Sequence, residues 1–169
     1  MTTTITKRKL FIGCSCEALH IARSLKKVLK KHFRNSIEPF VYDETEWKNL
    51  SAIIDNLKNR VDEFYYAIFI GYPDDIIKSR DTFYYTCRDN VLFEMGLFLS
   101  RIGKERTFFI IPHNLDYNSK IPLKFSNMNL NGGSKIRFKL LSDFGESIII
   151  KSRIDLKYQL ASAVSKKLV

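Results

Sequence analysis

No stretch of this chain reaches about 18 consecutive apolar residues, so no membrane-crossing helix is expected. The opening residues, MTTTITKRKLFIG, lack an apolar region between their basic residues and a small-residue cleavage site, so no secretory signal is expected either. Cysteine is scarce and odd in number: Cys14, Cys16 and Cys87 are the three. Free thiols in a reducing cytoplasm are the simplest reading, which places the protein there. Neither GxGxxG nor GxxxxGK followed by Ser or Thr occurs, so a Rossmann fingerprint and a P-loop are both missing. With neither CxxC nor paired histidines, no metal site is expected. Acidic residues are outnumbered 18 to 28, leaving a formal charge of +10.

What is present fits one soluble globular domain over residues 1–169, with 45% hydrophobic and 27% charged residues. The basic excess gathers at Lys7, Arg8 and Lys9, then at Arg23, Lys26, Lys27, Lys30, Lys31 and Arg34. The second group reads either as a patch for a polyanion or as the solvated face of an amphipathic helix. No aromatic residues interleave it, so the solvated face is preferred and a nucleic-acid partner is not expected.

Apolar runs at Lys9–Cys14, Ile37–Tyr42, Tyr66–Tyr72 and Arg106–Ile111 predict strands. Pro39 assigns the second of these an edge or a strand start. Helical spacing predicts helices over Glu17–Phe33, Leu50–Phe64 and Thr86–Gly103, the first capped by Ser15 or Cys16. Asp43–Lys48 and Pro73–Tyr85 read as polar loops, with Asp74 and Asp75 serving a turn after Pro73. After Pro112 the pattern weakens. Asn114–Ser134 reads as loop, Lys135–Leu140 and Ser147–Ile150 as a late strand pair, and the last fifteen or so residues as an amphipathic helix. The alternation predicts an α/β domain: a central parallel sheet with helices on both faces, its core at about residues 8–123. Ligands in such folds bind beyond the carboxyl ends of the strands, here near Gly13, Asp43, Tyr72 and Pro112.

One residue stands out. In TCRDNVLFEMGLFLSRIG nearly every position after Asn90 is apolar, yet Glu94 sits between Phe93 and Met95. An ionised carboxylate in such surroundings is costly unless paired or hydrogen-bonded. Three destinations are open to it: a partner such as Arg101, solvent, or a pocket where it does chemistry.

Three segments carry a resemblance: FIGCSCEALHIARSL, AIFIGYPDD and RDNVLFEMGLFLSRIGKERTFFIIP. In order and spacing, from about Lys9 to Leu123, they are similar to the bacterial TIR-like proteins of cyclic-nucleotide-triggered antiphage systems of the CBASS and Pycsar type. Cys14 and Cys16 stand where serines are usual, and Trp47 where a Phe is common. Ser79–Arg80 is not followed by the usual Gly.

The resemblance implies a flavodoxin-like TIR fold and NAD⁺ glycohydrolase activity. It implies Glu94 as the catalytic carboxylate. Its nucleotide-facing positions fall on Gly13, Ser15, Glu17, Asp43, Trp47, Asp75, Arg88 and Asn90. NAD⁺ is then the substrate, no cofactor is needed, and homo-oligomerisation together with a sensor protein or domain supplies activation. The alternatives are a non-catalytic TIR-like module that binds a nucleotide or a protein, or a basic nucleic-acid-binding domain.

Overall fold

Strand-forming apolar runs separated by amphipathic helices give this chain a doubly wound sheet. The computed structural model describes residues 7–42, 55, 57–112, 136–140 and 148–149. Strand β1 spans Arg8–Gly13, and a 3-10 turn at Cys16–Ala18 leads into helix α1, Leu19–His32. Strand β2 is Ile37–Val41. Helical residues 57–60 run into a 3-10 turn at Val61–Glu63, and β3 follows at Tyr66–Ile70. Strands β4, Asp75–Ser79, and β5, Thr82–Thr86, precede helix α2, Asp89–Ile102. Strands β6, Thr107–Pro112, β7, Ile136–Leu140, and β8, Ile148–Ile149, complete the described elements.

The main sheet runs β2-β1-β3-β6-β7-β8, with every pair parallel except β7–β8. Numbered along the chain, its five parallel strands read 2-1-3-4-5, the flavodoxin-like order. The predicted late strand pair is there, and its first member continues the parallel sheet. Pro39 lies on edge strand β2, where its missing N–H leaves the ladder to β1 intact.

Alternation along the strands sorts the core into two layers. Leu10, Ile12, Ile68, Ile70, Phe108 and Ile110 face α1 and its Ile21, Ala22, Leu25 and Leu29. Phe11, Ala67, Phe69, Phe109 and Ile111 face the other way, onto Val91, Met95, Phe98 and Ile102 of α2 and onto Leu57, Val61 and Phe64. Helices therefore cover both faces. The basic residues Arg23, Lys27, Lys30, Lys31 and Arg34 lie on the exposed side of α1 and just past its end.

Three expectations need correction. Pro73–Tyr85 is not a loop: β4 and β5 pair as an antiparallel hairpin from Asp75↔Thr86 to Ser79↔Thr82. The β-branched and aromatic residues Ile76, Ile77, Phe83, Tyr84 and Tyr85 favour strands, and Ser79–Arg80–Asp81 supplies the turn, with Arg80 at φ 49°. Helix α1 starts at Leu19 rather than Glu17, and Ser15 makes no side-chain cap. Helix α2 starts at Asp89, because Thr86 still belongs to the hairpin. The loops at 43–48 and 114–134 and the final helix lie outside the described residues, as does the start of the helix expected from Leu50.

Candidate functional site

The parallel strands end on one edge of the sheet, and the turn after β1 opens there. Gly13 closes β1 for a packing reason: a Cβ on it would stand 2.5 Å from the Phe69 ring. Ser15 turns inward and is only 2% exposed. Glu17, in the first turn toward α1, accepts a hydrogen bond from Arg88 at 2.5 Å. Arg88 is the N-cap residue just before α2, so this pair ties the first turn to the second helix. Arg88 Nε also lies 3.9 Å from Asp74 Oδ2.

Asp74 sits four residues beyond the end of β3, the strand that pairs with β1. Its side chain is 5% exposed. Burial pushes its carboxyl pKa up, against the smaller lowering effects of Ser15 and of the Asp74 backbone. Glu17 goes the other way: a backbone hydrogen bond and then the Arg88 charge outweigh desolvation and hold it below its ordinary value. Two neighbouring carboxylates around one guanidinium are thus pushed apart in pKa. The Cys87 thiol, buried between the hairpin and α2, is pushed up to about 12 by burial and by the Asp74 charge. A thiol held so far from its thiolate is no nucleophile at neutral pH.

Glu94 lies on the stripe of α2 that meets the sheet, with Val91, Met95, Phe98 and Ile102. It is 2% exposed, so the solvent destination is excluded. Arg101, seven residues on, is exposed and donates to Asp62 at 2.6 Å. Asn90, half buried, stands one turn before Glu94 on the same helix face. Six residues separate Arg88 from Glu94, about 9 Å along the helix axis. The helix start is not fixed by an Arg88 side-chain cap; Val91 N–H donates to the Arg88 carbonyl.

The structure therefore brings together Ser15, Glu17 and Arg88, and adds Asp74, which the sequence does not single out for the site. It sets Asn90 and Glu94 on one face of the helix that Arg88 begins. Asp75 is exposed and opens the hairpin opposite Thr86, and its charge still reaches Asp74 and Arg88. Asp43 and Trp47 lie outside the described residues. Among the described residues no cluster of His, Cys, Asp and Glu is placed to hold a metal ion. A shallow, solvent-open depression lined by aromatic residues around Phe98 and Arg60 contains none of the candidate residues.

Fold and site together define a flavodoxin-like α/β domain with a carboxylate-and-arginine cluster at the carboxyl edge of its sheet. The family described as CAP12/Pycsar effector protein, TIR domain, matches residues 9–125. The chain belongs to that family of bacterial antiphage TIR proteins. It is 38% identical over 126 residues to the CD-NTase-associated protein 12 of Niabella drilacis, covering 73% of this chain and 39% of that protein. It is 36% identical over 117 residues to the Pycsar effector protein PaPycTIR of Pseudomonas aeruginosa, covering 68% of this chain and 36% of that protein. A CD-NTase-associated protein 12 from a Lachnospiraceae bacterium is 29% identical over 160 residues, covering 91% of this chain and 48% of that protein. The chain thus spans between a third and a half of the length of these relatives. No helix among the described residues is long and apolar enough to cross a membrane.

Proposed function

We propose that this chain is an NAD⁺ nucleosidase that cleaves the nicotinamide–ribose bond in antiphage defence, releasing nicotinamide and ADP-ribose or a cyclised form. The observation that carries the reading is Glu94: a carboxylate buried on the sheet-facing stripe of α2, on the helix whose start carries Arg88. Breaking that bond leaves oxocarbenium-like positive charge on the ribose, and a carboxylate beside the ring stabilises it. Nicotinamide is cationic in NAD⁺ and leaves neutral, so no general acid is required. One carboxylate suffices for the step. Arg88 and the backbone N–H groups of the first turn supply donors for the pyrophosphate.

Activation is proposed to follow self-association. Large apolar side chains stay exposed at Ile76 and Phe83 on the hairpin and at Phe93 on α2, surface of the kind that association covers. A relative named for its association with a CD-NTase supports the expectation that a sensor protein or domain delivers the trigger. The test is direct. Concentrated or artificially clustered protein is incubated with NAD⁺ and free nicotinamide is followed, with Glu94→Gln as control. No release even from clustered protein would remove the enzyme and leave a binding module. Release unaffected by Glu94→Gln would keep the enzyme and remove this mechanism.

A further inference from the structure

In a 2-1-3-4-5 sheet the chain reverses its winding between the first and third strands, and the crevice opens there. Ser15 follows β1 and Asp74 follows β3, so the two side chains stand on either side of that crevice. Both are more than nine-tenths buried. By hydrogen-bond geometry neither Asp74 carboxylate oxygen nor the Ser15 hydroxyl has a partner. The Ser15 hydroxyl and the Asp74 backbone N–H both lie near enough to lower the Asp74 carboxyl pKa, but neither is aligned to make a well-formed hydrogen bond to it. Arg88 Nε, at 3.9 Å, is within ion-pair range of Asp74 and beyond hydrogen-bond range, while Arg88 Nη2 is engaged by Glu17. Buried acceptors are almost always satisfied, and a carboxylate left without donors is among the most expensive exceptions. Three such oxygens converging on a ligand crevice mark a place where a ligand supplies the donors.

The chemistry of those donors follows from what surrounds them. An anion placed directly against the Asp74 carboxylate is repelled by it and by Glu17, whatever Arg88 holds on its other side. A cation would duplicate the positive charge that Arg88 already provides. Two neighbouring neutral hydroxyls match the two coplanar oxygens of one carboxylate, with Ser15 at their side. We propose that Asp74, assisted by Ser15, receives the vicinal hydroxyls of a nucleotide ribose at the β1/β3 crevice. This rests on the nucleotide-cleaving reading above and adds a residue that reading does not contain. It also moves the ribose-binding acid of dinucleotide folds, which follows the second strand there, to the segment after the third.

The experiment is a cycle of binding measurements on the full chain. Glu94→Gln protein, which spares the ligand, is titrated calorimetrically with NAD⁺ and with analogues lacking the 2′-hydroxyl on one ribose or the other. Asp74→Asn is then added and the titrations repeated. The expected result is a roughly tenfold or greater loss of affinity from Asp74→Asn. A similar loss is expected from removing one of the two hydroxyls, with little further loss when both changes are combined. The Tm of Asp74→Asn should equal or exceed that of the parent, because the charge it removes is buried with no well-formed hydrogen bond within the fold. Unchanged affinity overturns the proposal. So do equal losses for NAD⁺ and both analogues, and so does a lowered Tm, which would mean that Asp74 is satisfied within the fold. Nicotinamide release by the unsubstituted chain separates the two readings. Coupled binding without release removes the reaction and keeps the diol site, while release without coupling does the reverse. No binding of NAD⁺ to any form removes both.

Discussion

Gly13→Ala discriminates between two reasons for a small residue at the end of β1. Family resemblance gives Gly13 a place facing the nucleotide, whereas packing gives it a place under an aromatic ring. An added Cβ would lie 2.5 and 2.6 Å from two carbons of Phe69 and 3.0 Å from the Phe11 ring. Ordinary carbon contacts fall at about 3.5–4.0 Å, so the Phe69 ring would have to retreat by about 1 Å. It has little room. Phe69 is fully buried, its ring centroid is 5.7 Å from Phe11 and 5.5 Å from Phe98, and its backbone is paired to both Gly13 and Phe109. Overpacking of this kind costs about 1–3 kcal/mol. At roughly 2–4 °C per kcal/mol for a chain of this size, the fall in Tm is about 2–12 °C. Differential scanning calorimetry measures it. Phe69→Leu in the same chain should restore part of the loss, so the double variant is more stable than the sum of the two single changes predicts. A Gly13→Ala chain with unchanged Tm would refute the packing argument. If activity were lost at the same time, Gly13 would belong to the ligand instead.

Three further outcomes follow. In the folded chain, exposed Cys16 should alkylate readily at pH 8, whereas Cys14 and Cys87 should react only on unfolding, Cys87 being both buried and held near pKa 12; peptide mapping that finds Cys87 modified as fast as Cys16 would contradict the burial. Arg80 holds the hairpin turn at φ 49°, so Arg80→Gly should raise stability by up to about 1 kcal/mol in urea unfolding, and a loss of that size would show that the Arg80 side chain matters more than its backbone. Asp74 has a folded-state pKa above its ordinary value, so between the two values the folded state binds more protons and stability falls as pH rises. The Tm advantage of Asp74→Asn should accordingly be largest at neutral pH and shrink as pH falls toward 4; an advantage independent of pH would rule out ionisation as its source.

Much of this fold is legible in the residues because strands buried on both faces leave unbroken apolar runs. LFIG, YAIFI and TFFII announce three adjacent parallel strands, and the lysine-studded spacing of α1 announces its one buried face. The hairpin is less legible. Its strands are half exposed, so polar residues interrupt the pattern, and the stretch reads as a loop unless the strand-forming Ile76–Ile77 and Phe83–Tyr85 are weighed against the turn at Arg80. Asp74 and Asp75 show a second limit. They are chemically equivalent neighbours in sequence, and only the start of β4 decides that Asp75 points to solvent while Asp74 turns into the crevice. Cys14 and Cys16 differ in the same way, one packed beneath α1 and the other exposed in the turn before it. For Glu94 the sequence leaves partner, solvent and pocket open; its place on the buried stripe of α2 removes solvent.

The proposed cleavage turns on that carboxylate. Its most direct test is the rate of nicotinamide release from NAD⁺ by the clustered chain, compared with Glu94→Gln at the same concentration and the same Tm. Loss of an electrostatic stabiliser of the transition state predicts a drop of about 10²–10³-fold. A Glu94→Gln chain that is equally stable and releases nicotinamide at the parent rate would contradict it.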